Sequence, residues 1–76
     1  KFTFQEQRDY ETIEAEIASL EEKAERLEEE TASAATDFVK LNQLTKEKEE
    51  VEALLEQKME RWMYLEDLAA RIEAEN

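Results

Sequence analysis

The stretch TASAATD (31–37) decides the fold because it interrupts two series of regularly spaced residues. Before it, apolar residues alternate at spacings of three and four: Tyr10, Ile13, Ile17, Leu20, Ala24 and Leu27. After it, the same spacing links ten residues, all apolar except two lysines: Leu41, Leu44, Lys48, Val51, Leu55, Lys58, Trp62, Leu65, Ala69 and Ile72. Heptad spacing is typical of helices that pack side by side. The sequence therefore predicts two helices joined by a short polar segment.

The ends of both helices carry recognisable capping residues. TFQE (3–6) matches a capping box, in which Thr3 accepts an amide hydrogen and Glu6 reaches back to the cap. Thr36 and Asp37 are suitable caps for the second helix. We expect helix 1 at about residues 4–31, a loop at about 32–36 and helix 2 at about 37–74.

The short polar loop favours a chain that folds back over the alternative, a single continuous helix. If the chain turns near residue 34, one flank brings opposite charges together in three pairs: Glu30–Lys40, Lys23–Glu47 and Asp9–Arg61. Glu16 would face Leu54 on the same flank, and Lys48 would lie opposite Leu20. We predict an all-α protein, a two-helix antiparallel coiled-coil hairpin.

Composition agrees with such a fold and excludes several others. The 76 residues include no Gly, Pro, Cys or His, and 42% of them are charged. Few turns, no disulfide framework and no thiolate metal site are expected. No apolar run approaches the roughly 20 residues that span a bilayer. Because Lys1 is an unusual first residue, we expect an excised single domain.

Aromatic residues stand at both ends of the chain, which a hairpin would bring together. We expect Phe2 and Phe4 to fold over Trp62 and Leu65 and so to form a clamp at the base of the hairpin. A buried aromatic side chain contributes roughly 1.5–3 kcal/mol, which is considerable in so thin a fold.

Met63 and Tyr64 fall on the outer side of helix 2, where no internal partner is evident. Exposed apolar residues of this kind can mark a docking surface.

Two segments resemble a known family. FTFQEQRDYE (2–11) is similar to the start of the C-terminal domain of Uup-type ABC-F ATPases, and ERWMYLEDL (60–68) resembles a second signature of that domain. The resemblance implies a coiled-coil appendage of a cytoplasmic protein that carries two ATP-binding cassettes, and hence ATP and Mg²⁺, outside this sequence. It also implies DNA binding or association with the ribosome.

Charge is distributed unevenly along the chain. Residues 1–30 hold eleven acids and four bases, and residues 49–76 hold nine acids and three bases. Residues 31–48, which we call the tip, hold two acids against Lys40, Lys46 and Lys48. Because phosphate contacts need positive charge, these three lysines are the candidate nucleic-acid contacts.

Catalysis is not expected in this chain. It has no His, no Cys and no Gly-rich phosphate loop. Acidic pairs such as Glu21/Glu25 would need a four-helix bundle to hold a metal pair. We therefore expect no catalytic, cofactor or metal site.

Two functions remain open at this point. The first is a non-catalytic arm that contacts nucleic acid or the ribosome through the tip. The alternative is a structural coiled coil for self-association or for protein docking through Met63 and Tyr64.

Overall fold

The computed structural model describes residues 1–75 as two helices, α1 (Phe4–Ala34) and α2 (Phe38–Glu75). The helices pack against each other along their length to form a rod of 59 × 15 × 14 Å. Ion pairs such as Arg61–Asp9 join the start of α1 to the later part of α2, so the helices are antiparallel. The predicted all-α hairpin is confirmed.

The predicted heptad seam is also confirmed. Every position of both series is buried or half-buried, including the two lysines. Six of these side chains form the buried core: Ile13, Ile17, Leu27, Leu44, Val51 and Leu65. The core has two clusters, one around Leu65 and one around Leu44, and Leu55 packs against both.

The loop is shorter than the sequence suggested, because α1 continues to Ala34 instead of ending at residue 31. Thr31 stays helical, and its hydroxyl donates a 2.7 Å hydrogen bond to the carbonyl of Leu27. Ala34 then packs against the Leu44 cluster. Alanine is the strongest helix former, so this small-residue segment adds a helical turn instead of forming a loop.

Only three residues separate the helices. Ala35 adopts a positive φ of 42°, a region that residues with a Cβ rarely occupy. The amide of Asp37 donates to the carbonyl of Ala34 at 2.8 Å. The carboxylate of Asp37 in turn accepts the amide hydrogen of Lys40 at 3.1 Å, as an N-cap does. Asp37 therefore caps α2 and does not belong to it.

The shorter loop changes the register near the tip. The predicted Asp9–Arg61 pair is present, with 3.1 Å between Nη2 and Oδ2. Glu16, however, pairs with Lys58 instead of facing Leu54, and Lys48 pairs with Glu28. The turn centres on residue 36 instead of 34, so the position opposite a given residue lies about four residues, or one helical turn, further along the other helix. Lys48 then lies opposite position 24, and its side chain reaches one further turn to Glu28.

The other two predicted charge pairs do not form. Within residues 1–75, neither Glu30–Lys40 nor Lys23–Glu47 is an ion pair. The same shift of register separates the partners that a turn at residue 34 would have brought together.

Candidate functional site

The base of the hairpin begins with the capping box that the sequence predicted. Glu6 donates its amide hydrogen to Oγ1 of Thr3 at 3.2 Å. The amide of Thr3 donates to Oε1 of Glu6 at 2.9 Å. Two backbone donors at the start of α1 are thereby satisfied, which fixes the direction in which residues 1–3 enter the helix.

Phe2 packs across the two helices. Its ring lies 5.2 Å from the ring of Tyr10, with an interplanar angle of 37°. Both rings pack against the cluster that contains the fully buried Leu65, and Trp62 packs against the same cluster. Three of the four residues expected in the clamp, Phe2, Trp62 and Leu65, thus lie together.

Phe4 does not join them, and the expectation that it would cover this band is wrong. Its side chain is 77% exposed, and its ring lies 5.7 Å from the guanidinium of Arg8. Phe4 is nine residues before the buried Ile13, and at about 100° per residue this places the two on opposite faces of α1. Phe2 reaches the core because it precedes the cap, where the chain is not yet helical.

Tyr64 has an internal partner that the sequence did not reveal. Its hydroxyl donates a 2.7 Å hydrogen bond to Oε2 of Glu6, and its ring lies 5.3 Å from the guanidinium of Arg61. Arg61 also donates to Asp9 through Nε and Nη2, at 3.2 and 3.1 Å. Tyr64 therefore ties α2 to the capping box of α1.

These contacts alter the proton affinity of the groups involved. The amide of Thr3 and the hydroxyl of Tyr64 both donate to Glu6 and lower the pKa of its carboxyl. The same bond raises the pKa of the Tyr64 hydroxyl, because ionisation would remove the donated proton. Hydrogen bonds from Gln5 and Arg61 lower the pKa of Asp9.

Met63 is 66% exposed, as expected of an outer position. Met59, one turn earlier, is 43% exposed and borders a shallow groove of about 280 Å³ beside Trp62. The indole Nε1 of Trp62 is buried and has no acceptor among residues 1–75. The base therefore exposes two flexible apolar side chains, whereas the indole donor is covered.

The tip differs from the base in charge and in exposure. Lys40 and Lys46 are exposed and form no ion pair within the described part of the chain. Lys48 is half-buried at the seam and pairs with Glu28, whose carboxylate raises the pKa of the lysine. Two of the three predicted lysines are therefore available to a ligand, and the third has a structural partner.

Sequence reasoning missed the most exposed apolar residues of the tip. Phe38 is 73% and Val39 is 80% exposed, although they are the first two residues of α2. The heptad spacing contained the necessary signal, because the position four residues before Leu41 is Asp37 and not Phe38. Both side chains consequently point away from the seam.

Two further properties concern metal and membrane. Among residues 1–75, no three acidic side chains are grouped so that they could share a metal ion. In the same residues, no helix combines the length and the hydropathy that a membrane span requires.

Comparison with known proteins identifies the family. The family model of the ABC transporter C-terminal domain matches residues 1–67. An uncharacterised ABC transporter ATP-binding protein of Bacillus subtilis (strain 168), YfmR, is 36% identical over 74 residues. That match covers 97% of this chain but only 12% of the relative. No solved structure matches the chain. The chain belongs to the ABC transporter C-terminal domain family.

Proposed function

We propose that this chain is the non-catalytic arm of a cytoplasmic ABC-F type ATP-binding protein and that its tip contacts nucleic acid or the ribosome. The observation that carries the proposal is the exposed pair Lys40 and Lys46 in the one segment that has no excess of acids. ATP and Mg²⁺ would be bound by the cassettes of the parent protein, which are the arm's covalent partners.

The charge distribution supports contact at the tip alone. The chain carries a net charge of −12, and nearly all of the acidic excess lies in the stalk, outside residues 31–48. Screening at physiological salt acts over about 8 Å. The rod is 59 Å long, so most of the stalk lies several screening lengths from the tip. A phosphate at the tip would meet the lysines with little repulsion from the base.

The structure also limits the expected affinity. Each phosphate contact contributes about one unit to the salt dependence of binding. With Lys48 engaged by Glu28, the tip offers two unpaired lysines. We expect weak binding, suited to an arm whose attachment to a larger protein raises the local concentration.

A salt titration of binding to labelled DNA and ribosomal RNA fragments tests the proposal. Lys40→Glu with Lys46→Glu should abolish binding, whereas Lys48→Gln should reduce it only slightly. Arg71→Glu is the matched control, because Arg71 is an exposed base at the far end that pairs with Asp67 of its own helix. Tight binding that survives the double reversal would refute contact through the tip.

Protein docking at the base is the second candidate. The exposed Met59 and Met63 favour it, and Met59 borders the groove beside Trp62. Tyr64 contributes less than the sequence suggested, because its hydroxyl is already bonded to Glu6. Self-association through this surface predicts a concentration-dependent mass in sedimentation equilibrium, which Met63→Lys should abolish. A monomer at every concentration would exclude self-association.

A further inference from the structure

Five exposed side chains cover the outer face of the first two and a half turns of α2, and we call them the tip face: Phe38, Val39, Asn42, Gln43 and Lys46. At 3.6 residues per turn, Phe38, Asn42 and Lys46 form one row along the helix, and Val39 and Gln43 form a second beside it. The rows span about 12 Å at 1.5 Å per residue. No member of the tip face is acidic.

The aromatic ring at the start of this face is open to solvent. Phe38 is 73% exposed, and within residues 1–75 no aromatic ring or guanidinium stacks on it. Phe4 holds the equivalent place in α1, but Arg8 covers part of its ring. An open aromatic face beside lysines is the combination with which proteins bind single-stranded nucleic acid.

We propose that the tip face binds unpaired nucleotides, with Phe38 stacking on a base and Lys46 contacting a phosphate. This inference rests on the proposed function and specifies its ligand as single-stranded nucleic acid. Charge complementarity selects the occupant, because residues 31–48 hold three bases against two acids and suit a polyanion, while the acidic stalk, which begins with Glu49 and Glu50, restricts contact to the tip. The amides of Asn42 and Gln43 can donate to and accept from base edges.

Preference for unpaired bases follows from the geometry of stacking. In a duplex, each base is already covered on both faces by its neighbours, so a side chain can stack on it only if the helix opens. In a single strand, the same ring can be reached directly, and stacking tolerates any base because every base has a π-face. The tip should therefore bind a single strand more tightly than the corresponding duplex.

The test compares binding of the 76-residue chain to a short labelled single-stranded oligonucleotide and to its duplex. Phe38→Ala should weaken binding to the single strand about tenfold, the order of loss expected when a stacking residue is removed. Binding to the duplex should not change. Phe38→Tyr should retain tight binding to the single strand because it keeps the ring.

Phe4→Ala is the matched control. Phe4 is the first residue of its helix and 77% exposed, but it lies at the acidic end of the chain. The Phe4→Ala substitution should leave the affinities for the single strand and for the duplex unchanged. Both alanine variants should melt at the wild-type temperature, because neither side chain belongs to the core.

A direct readout of stacking comes from Phe38→Trp. The fluorescence of the introduced indole should be quenched when the oligonucleotide binds. The wild type, whose single Trp62 lies at the base, supplies the blank. Absence of quenching on binding would show that no base stacks at this position.

The outcomes separate this inference from the function on which it rests. Equal binding of single strand and duplex, lost on reversal of Lys40 and Lys46 but unaffected by Phe38→Ala, would retain the proposed function and overturn the stacking inference. Failure of the wild type to bind either ligand would overturn both. Equal losses for Phe38→Ala and Phe4→Ala would also overturn the inference, because the effect would not be specific to the tip.

Discussion

The two ends of the hairpin begin in the same way and then differ. At each end a polar cap, Thr3 or Asp37, is followed by an exposed phenylalanine that starts a helix. At the base, long-range contacts such as Tyr64–Glu6 and Arg61–Asp9 hold the two helices together. At the tip, the hydrogen bonds of the turn join residues at most four apart in sequence.

This difference indicates a division of labour along one thin rod. At the base, aromatic and charged side chains contact each other, so few of them remain free to bind a ligand. The tip closes with three residues and leaves Phe38, Val39 and two lysines exposed. Under the proposed function, stability and recognition reside at opposite ends, and substitutions should separate them.

Leu65→Ala is expected to give the largest difference in stability between a substitution at the base and one at the tip. Leu65 is fully buried at the base, and truncating such a side chain costs about 2–5 kcal/mol. Phe38→Ala at the tip should stay within about 0.5 kcal/mol of wild type. Urea denaturation followed by circular dichroism measures both. Comparable losses for the two variants would show that the tip residue belongs to the core.

The next largest effect distinguishes the two phenylalanines of the base. Phe2→Ala should lower the free energy of unfolding by about 1–3 kcal/mol, because Phe2 packs against the Leu65 cluster. It should also shift the emission of Trp62 to longer wavelength as water reaches the indole. Phe4→Ala is the control and should change neither the melting curve nor the spectrum. An unaltered spectrum in Phe2→Ala would remove Phe2 from the clamp.

A substitution in the turn at the tip should have a smaller effect and should stabilise the fold. Ala35 has a positive φ, which glycine adopts without steric cost. Ala35→Gly should therefore raise the free energy of unfolding by about 0.5–1 kcal/mol, in spite of the greater flexibility of the unfolded chain. The control, Ala32→Gly within α1, should lower it by a similar amount. Destabilisation by both variants would show that Ala35 is not strained.

The smallest effect is the pH dependence of the base. The folded-state pKa of Glu6 lies below its ordinary value of 4.5, so its contribution to stability is complete above that pH and is lost as pH falls through the folded-state value. At neutral pH the melting temperature of the wild type should exceed that of Glu6→Gln. This difference in melting temperature should disappear below about pH 4.5.

Removing one acid from a chain of net charge −12 relieves repulsion by itself, so this comparison needs a charge-matched variant. Glu29→Gln serves, because the side chain of Glu29 makes no hydrogen bond or ion pair within residues 1–75. If the difference in melting temperature between Glu6→Gln and this control persisted unchanged in acid, the role of the ionised Glu6 would be contradicted.

The hairpin, the seam and the first cap could be predicted because each depends on local spacing. Heptad positions and the Thr3–Glu6 box involve residues three or four apart, which the helical repeat brings together without knowledge of the fold. Asp9–Arg61 was also predictable, since the long arginine side chain tolerates an error of register.

The remaining features depend on where the chain turns and on which face each residue occupies. With the centre of the loop two residues later than predicted, the partner of Glu16 is Lys58, one turn beyond Leu54, and the partner of Lys48 is Glu28, about two turns beyond Leu20. Phe4 and Phe2 are close in sequence, but the helix begins between them and directs Phe4 away from the core. The bond from Tyr64 to Glu6 requires both the register and a rotamer, neither of which the sequence specifies.

The proportions of the rod have a mechanical consequence. A body 59 Å long and about 15 Å thick acts as a lever, and its fulcrum would lie at the base, where contacts join the two helices. A given rotation about that end displaces the far end in proportion to the full length, so small angular changes become large translations. The hydrogen bonds and ion pairs between the helices at the base would transmit such a rotation to the whole rod. The tip would then move through an arc without any bending of the helices.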